Sequence, residues 1–570
     1  MKFHSRVRIT VPALLGTATV FCAFFPTSRV TPIANAASPL YLTSNLSFQA
    51  TGITKNFNPF SPNQNDFTNG AVYEPLMIIT PVNGGKTYKW LATDYKYSNG
   101  NKTLIVTLRS GVRWSDGKPF TAKDVAFTFN YGKKYSAADQ NGLWAGKYLS
   151  SVNAQGANTV AFNYTKVNST LLPNILSTNI KILPEHVWSK VTDPEKYSDN
   201  NLVGTGPFAH LTKFSPQEVI YGKNPYYWQK LSYDGLKVIN YLDNSGATTA
   251  LVRGDLDWTG HFVPDTQGTY VSKDPAHFHY YYSNTNPLGL WFNDQKYPYN
   301  LAAFRKALSY AVNRPKIYRI AENGYELPAD ATGIKVAYPT WYDRSIDKQS
   351  TDLTTYNLDK ARSALMAAGF KYSGGHLVDP KGNKISMTLS CPAPWSDWVL
   401  TLQIIAQDFK KIGIDASFKG LDQAVWFTKS QAGQLDGHIH WTNFGVTPYE
   451  TYYSYLSKES FTPIGTDASL NGQANWARYS GSDEASTLFA QFRSTTDLQK
   501  QKRIVDQLQR IQIRDLPYIP IMNSADWYTY STLHFTGWPT KENFYVRGSA
   551  NDYPDRLVVM TRITPVSSSR

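Results

Sequence analysis

The first candidates for chemistry are two histidine pairs. His277-x-His279 and His438-x-His440 each set two imidazoles on one face of an extended strand, the start of a metal-ligand set. Neither pair has a third ligand near it, so no metal is expected. Asp255 and Asp257 carry the paired carboxylates that glycoside hydrolysis requires, but acids this close in sequence fit a solvated turn. Gly-x-Ser-x-Gly and His-Glu-x-x-His are both absent. Gly204-Thr205-Gly206-Pro207-Phe208 is glycine-rich, yet it lacks the Lys-Ser/Thr of a phosphate loop and the spacing of a dinucleotide fingerprint. The chain is therefore expected to be no enzyme and to carry no cofactor.

Binding has more to build on. Aromatic residues make up 14% of the chain, with 38 Tyr and 15 Trp. Indole and phenol faces lie flat on the C–H faces of sugar rings, while Asn, Asp and Gln hold the hydroxyls. Two segments concentrate such groups. One runs Pro392-Ala393-Pro394-Trp395-Ser396-Asp397-Trp398. The other runs His440-Trp441-Thr442-Asn443-Phe444-Gly445-Val446-Thr447-Pro448-Tyr449. Trp426 stands between them. An ordinary core explains some of these aromatics equally well, Trp398 above all, because it begins an apolar helical stripe.

The elements that must position these groups can be read from the pattern. Leu104, Val106 and Leu108 alternate with Ile105, Thr107 and Arg109, a strand paired backwards through Asn99-Gly100. Thr121 with Asp124 forms a capping box ahead of Val125, Ala126 and Phe129. Val160, Phe162 and Tyr164 share a strand face. Asn300 is expected to cap a helix bearing Leu301, Phe304, Leu308, Ala311 and Val312, which Pro315 stops. Ser396 or Asp397 is expected to cap a second, with Trp398, Leu402, Ile405, Phe409 and Ile412 in register and Gly413 at its end. A third carries Ile504, Leu508 and Ile511. Val72-Tyr73-Glu74-Pro75-Leu76 reads as a short helix, and Leu557 to Met560 as a closing strand.

The string from Leu108 to Phe129, Leu-Arg-Ser-Gly-Val-Arg-Trp-Ser-Asp-Gly-Lys-Pro-Phe-Thr-Ala-Lys-Asp-Val-Ala-Phe-Thr-Phe, closely resembles the signature of the extracytoplasmic solute-binding proteins of ABC importers, family 5. Phe57-Asn58-Pro59-Phe60, Gly204 to Phe208, Asn224-Pro225-Tyr226-Tyr227-Trp228, Leu251 to Trp258 and Phe304 to Leu308 resemble further segments of that family. The resemblance covers most of residues 45–545. It implies an α/β, two-lobe periplasmic-binding-protein fold (type II, cluster C) with an extra subdomain in the first lobe. Residues 37–80, 195–288 and 528–570 would form lobe I, 81–194 the subdomain and 289–527 lobe II. The ligand, an oligosaccharide, an oligopeptide or nickel in the family, would bind in a cleft closed by both lobes.

In the family the two aromatic segments face that cleft, which implies ligand contacts from Trp395, Asp397, Trp398, Trp426, Trp441, Asn443, Phe444 and Tyr449, with Asn58 from lobe I. Peptide-binding members usually place an acid directly before the Pro of the second segment, where it meets the peptide's α-ammonium. Here that residue is Thr447. The Trp-Ser-Asp-Trp run and Gly537-Trp538-Pro539 look like the branch that binds cello- or β-glucan oligosaccharides. An oligosaccharide is the expected ligand and an oligopeptide the alternative. The expected partners are a membrane permease and its ATPase, with the receptor itself a monomer.

Length and composition agree. At 570 residues the chain exceeds a single core, and its 42% hydrophobic and 18% charged residues describe a globular protein. The net charge of +14 is spread along the chain, with no basic helix or aromatic RNA-binding signature, so nucleic acid is not an expected partner. Residues 1–8 are cationic, Ile9 to Phe25 is apolar but interrupted by Pro12, and Ala34-Asn35-Ala36 is a small-x-small site. This reads as a signal peptide over 1–36, cleaved before Ala37, and hence an extracytoplasmic protein. Of the two cysteines, Cys22 falls in that segment and follows Phe21 where a lipoprotein has a small residue. Cys391 then has no partner for a disulfide.

Overall fold

The computed structural model describes residues 38–45, 52–61, 64–65, 67–82, 84–469 and 474–567. The expected signal peptide, its cleavage site and Cys22 lie outside these residues.

Three sheets organise the chain. The first has seven strands in the order Phe278–Tyr280, Thr529–Ser531, Trp258–Thr259, Tyr41–Asn45, Gly235–Ile239, Glu218–Gly222 and His210–Ser215. Tyr41–Asn45 runs parallel to both its neighbours, Gly235–Ile239 and Trp258–Thr259, and the remaining pairs of the sheet are antiparallel. The second has five strands, ordered Asp415–Leu421, Ser386–Pro392, Gly437–Trp441, Asn284–Phe292 and Tyr518–Ala525. The third is an antiparallel sheet of four strands, Ala92–Ser98, Thr103–Leu108, Thr159–Tyr164 and Leu149–Ala154. Helix Ala122–Lys134 packs on it and begins with the expected capping box: the Thr121 side chain accepts from Lys123 N–H, and Asp124 accepts from Thr121 N–H at 2.8 Å. Asn99 and Gly100 turn that sheet's first hairpin with φ of 52° and 58°, which is why an Asn-Gly pair stands there.

The first and third sheets share one apolar core, closed at the C-terminus by Leu557, Val558, Val559 and Met560. The second sheet has its own core, from Leu288 to Met522. A further aromatic-rich core lies among the helices Pro448–Leu456, Asp483–Arg493 and Leu498–Asp515. The result is a two-lobe α/β protein with a subdomain on the first lobe. Among the described residues no helix is long and apolar enough to cross a membrane.

The chain passes from the first sheet to the second between Tyr280 and Asn284 and returns between Ala525 and Thr529. The boundary expected at residue 289 falls inside the strand Asn284–Phe292, so that crossing lies several residues earlier. Pro287 concealed it, because proline interrupts the alternating pattern that marks a strand.

Four local expectations are corrected. Leu557 to Met560 lies in the helix Asp555–Arg562. All four residues are buried, so their pattern carries no period, whereas the acid in the first turn and the arginine in the last suit a helix dipole. Val72 to Leu76 is no helix: a single irregular turn, Thr68–Val72, ends at Val72, and Tyr73 is extended. Helix Ala302–Tyr310 is preceded by Leu301 without a side-chain cap, while Asn300 N–H donates back to Lys296 O. The helix Ser396–Lys411 likewise starts from Trp395 without a side-chain cap, which places Ser396 and Asp397 inside its first turn.

Candidate functional site

Three strands of the second sheet converge on one edge. Ser386–Pro392 runs parallel to both Asp415–Leu421 and Gly437–Trp441, so all three end on the same side. Ligands of open α/β sheets bind beyond the carboxyl ends of such strands. Directly after these ends come Trp395, the helix Gln423–Gln431 with Trp426, and Trp441 itself.

The topology therefore gathers four tryptophans that lie far apart in sequence. Trp398 meets Trp395 at 4.7 Å between ring centroids and Trp441 at 4.7 Å. Trp395 meets Trp441 at 5.5 Å and Trp426 at 5.9 Å. Their roles separate by burial. Trp426 is 0% exposed and Trp398 3%, and both belong to the core of the second sheet. Trp426, expected at the cleft, is thus enclosed in the core, with its N–H turned toward Ser390 O. Trp395 and Trp441 are half-buried.

The segment after Trp441 crosses toward lobe I. Val446 packs on the lobe I core, where Gly85 leaves room for it: a Cβ at Gly85 would stand 2.8 Å from Val446 Cγ1. Phe444 lies 5.5 Å from the Tyr338 ring, and the Arg547 guanidinium of lobe I stands 5.8 Å from the Phe444 centroid. Asp552 and Asp555 fix Arg547 at 2.8 and 3.1 Å. On the Trp395 side, lobe I reaches across through Asn244, whose Nδ2 donates to Ser396 Oγ at 3.2 Å. The lobes thus touch on both flanks of the tryptophan cluster. Arg547 and Asn244 carry no sequence signal of their own, because only the fold brings them opposite the aromatic segments.

Thr447 is the N-cap of the helix Pro448–Leu456. Its hydroxyl accepts from Tyr449 N–H at 3.3 Å and donates to Glu450 Oε2 at 3.0 Å. Burial pushes the Glu450 carboxyl up to about 7. Burial likewise pushes Asp397 up to about 6, and it raises the neighbouring Glu322 and Glu326 well above the usual carboxylate range, with the nearby Asp397 charge adding to both.

Two more expected contacts lie elsewhere. Asn58 is 0% exposed, and its Nδ2 donates to Pro194 O at 2.6 Å and Tyr197 O at 2.7 Å, so it ties a loop together inside lobe I. Tyr449 is buried among the lobe II helices, stacked on Tyr453 at 5.2 Å with its hydroxyl accepting from Arg493. Asn443 is half-buried beside Phe444, and its carbonyl accepts from Thr451 Oγ1 at 2.8 Å.

Most of the groups weighed for catalysis have structural partners. His440 is stacked between Trp476 at 3.8 Å and Trp426 at 4.9 Å, and its Nδ1 accepts from Trp441 N–H. Burial holds both His438, at about 3, and His440 far below the usual imidazole range. His277 pairs with Asp274 at 2.8 Å. Among the described residues no group of three His, Cys, Asp or Glu is placed to hold a metal. Asp255 pairs with Arg253, while Asp257 accepts from Thr43 N–H and pairs with His534 at 2.7 Å. The glycines of the Gly204-Thr205-Gly206 turn serve packing, since a Cβ at Gly204 would stand 2.0 Å from Val72 O.

The family model for bacterial extracellular solute-binding proteins, family 5 (middle), matches residues 86–462. The chain belongs to this family. It is similar to a probable ABC transporter-binding protein of Deinococcus radiodurans, with 25% identity over 84% of this chain and 85% of the relative. It is 26% identical to the nickel-binding periplasmic protein of Escherichia coli, over 80% and 82% of the two chains. Among solved structures, a periplasmic oligopeptide-binding protein of Thermotoga maritima with mannohexaose bound superposes with a TM-score of 0.83 at 27% identity, covering 92% of this chain and 98% of that one. An oligopeptide-binding protein of Bacillus subtilis in complex with a nonapeptide superposes with a TM-score of 0.76 at 20% identity, covering 93% and 100%, a likeness of fold. This family 5 protein is a substrate-binding protein of an ABC transporter and not an enzyme.

Proposed function

We propose that this family 5 receptor captures an oligosaccharide of the cello- or β-glucan type between its lobes and hands it to a membrane permease, with transport powered by the partner ATPase. The observation that carries the reading is the pair Trp395 and Trp441. Both are half-buried at the carboxyl edge of the second sheet, and neither indole N–H donates to a described residue. Such indoles offer a sugar both a stacking face and a hydrogen bond. The Thermotoga relative with mannohexaose bound supports the same ligand class. Thr447 adds to it, because the residue before Pro448 is a neutral helix cap where a peptide's ammonium would need a carboxylate.

An oligopeptide is the second reading, and it rests on Glu450, whose carboxylate lies 3.0 Å from the Thr447 hydroxyl. The protein acts outside the cytoplasm as a monomer in both readings.

A thermal-shift screen of the mature protein against cello-, xylo- and malto-oligosaccharides and a mixed peptide pool tests the proposal. A ligand at roughly 100 times its dissociation constant adds about 2.7 kcal/mol of stability. Stabilisation by the peptides and by none of the sugars overturns the sugar reading.

A further inference from the structure

Away from the tryptophan cluster, the subdomain reaches lobe II at a second place. Tyr148, just before the strand Leu149–Ala154, sets its hydroxyl 2.8 Å from that of Tyr453 on the helix Pro448–Leu456. Tyr453 also donates to Glu459. Arg493 lies beside both rings, 5.9 Å from the centroid of Tyr148 and 5.4 Å from that of Tyr453, and pairs with Glu459 at 3.2 Å. One guanidinium thus organises a corner to which the two lobes contribute a tyrosine each.

The neighbouring contact is made by backbone. Arg493 is the last residue of the helix Asp483–Arg493, and terminal carbonyls of a helix have no acceptor role inside it. Ser169 of the subdomain adds a donor to each of the last two, of which Phe492 O also accepts from Thr495 N–H. Its N–H donates to Arg493 O at 2.9 Å and its Oγ to Phe492 O at 3.2 Å. The helix end in lobe II is therefore finished by a residue of lobe I. Parting the two surfaces would return these carbonyls and the tyrosine pair to water, and the contact is made by protein groups alone.

We propose that the extra subdomain is the latch of the closed form: Tyr148 and Ser169 grip the Tyr453–Arg493 corner and set how much of the protein is closed. The latch acts on the lobe equilibrium, so the affinity for any ligand changes with it by the fraction of closed protein. It holds whichever ligand class the cleft accepts.

Hydrogen exchange of the ligand-free mature protein reads the latch directly, through the amide of Ser169. In the wild type that amide is protected. Tyr148→Phe, Tyr453→Phe and Ser169→Ala each remove side-chain hydrogen bonds of the corner while keeping the fold, and each speeds its exchange about 2- to 10-fold. Small-angle scattering of the same variants shows a larger radius of gyration than wild type. Tyr97→Phe, on an exposed tyrosine of the same subdomain, leaves both readouts unchanged. The unfolding midpoint, measured alongside, separates loss of the latch from loss of the fold. A Ser169 amide that exchanges as fast as an unprotected loop in the wild type, or at the wild-type rate in all three latch variants, overturns the proposal. Neither result bears on which ligand binds; a parallel titration with cellohexaose reports on that alone.

Discussion

Trp395 and Trp441 meet at 5.5 Å with 50° between their planes, although a helix, a strand and a second helix separate them in sequence. Both lean on Trp398, which the core holds in place. The pair therefore has a rigid backing, and each indole can be removed without emptying the interior.

Trp395→Ala should weaken sugar binding by about 1–3 kcal/mol, roughly 5- to 150-fold, the scale of one lost aromatic contact. The loss should depend little on salt, because neither stacking nor sugar carries charge. Calorimetry with cello-oligosaccharides at two salt concentrations measures both. Wild-type affinity in the variant would remove Trp395 from the site.

Trp426→Ala should behave differently. Its ring lies wholly in the core, so truncation leaves a cavity and should cost about 3–5 kcal/mol of stability. Urea unfolding of the two variants side by side separates the roles: Trp395→Ala should lose far less than Trp426→Ala. Equal losses would refute the division into platform and backing.

Stability should also fall with rising pH, through Glu74. Burial pushes its carboxyl from 4.5 up to about 8, although Trp90 and Tyr227 both donate to Oε1. Oε2 is buried without a partner, which suits a protonated acid. The folded state then keeps a proton that the unfolded chain releases, so this contribution is complete below the unfolded value and is lost as pH rises toward the folded one. The slope is at most about 1.4 kcal/mol per pH unit. Glu74→Gln should flatten the curve across that window, read from urea unfolding at a series of pH values. A variant with the wild-type slope would assign the dependence to other groups.

Export should remove the first 36 residues, because a cationic start, an apolar run and Ala34-Asn35-Ala36 follow one another. N-terminal sequencing of secreted protein should begin at Ala37. A lipid on Cys22, or a start well away from Ala37, would replace this cleavage with another mode of processing.

The sequence carried the fold well where a local cause was strong. The capping box at Thr121 and the turn at Asn99-Gly100 are self-contained, and the structure keeps both. The strand at Leu557 to Met560 failed because a segment buried on every side has no periodicity to read. The site was legible only in part. Trp395, Trp398 and Trp441 come together because their segments follow parallel strands, but the sequence could not tell that Trp426 and Asn58 are wholly enclosed. Nor could it show Arg547 opposite Phe444, a contact between residues that meet only when both lobes are built.

The seven-stranded sheet has a consequence for the order in which the protein forms. It inserts Thr529–Ser531 between Phe278–Tyr280 and Trp258–Thr259, and the core beneath it is sealed by Leu557 to Met560. All strands of the five-stranded sheet, by contrast, come from one uninterrupted stretch between Asn284 and Ala525. As the polypeptide emerges from its N-terminal end, the later half is complete first. The earlier half waits, with its apolar surface unpaired, for the last few dozen residues to arrive. A chain stalled or clipped before Thr529 would release a finished second lobe attached to an unfinished first one, which makes the C-terminal tail a checkpoint for the whole receptor.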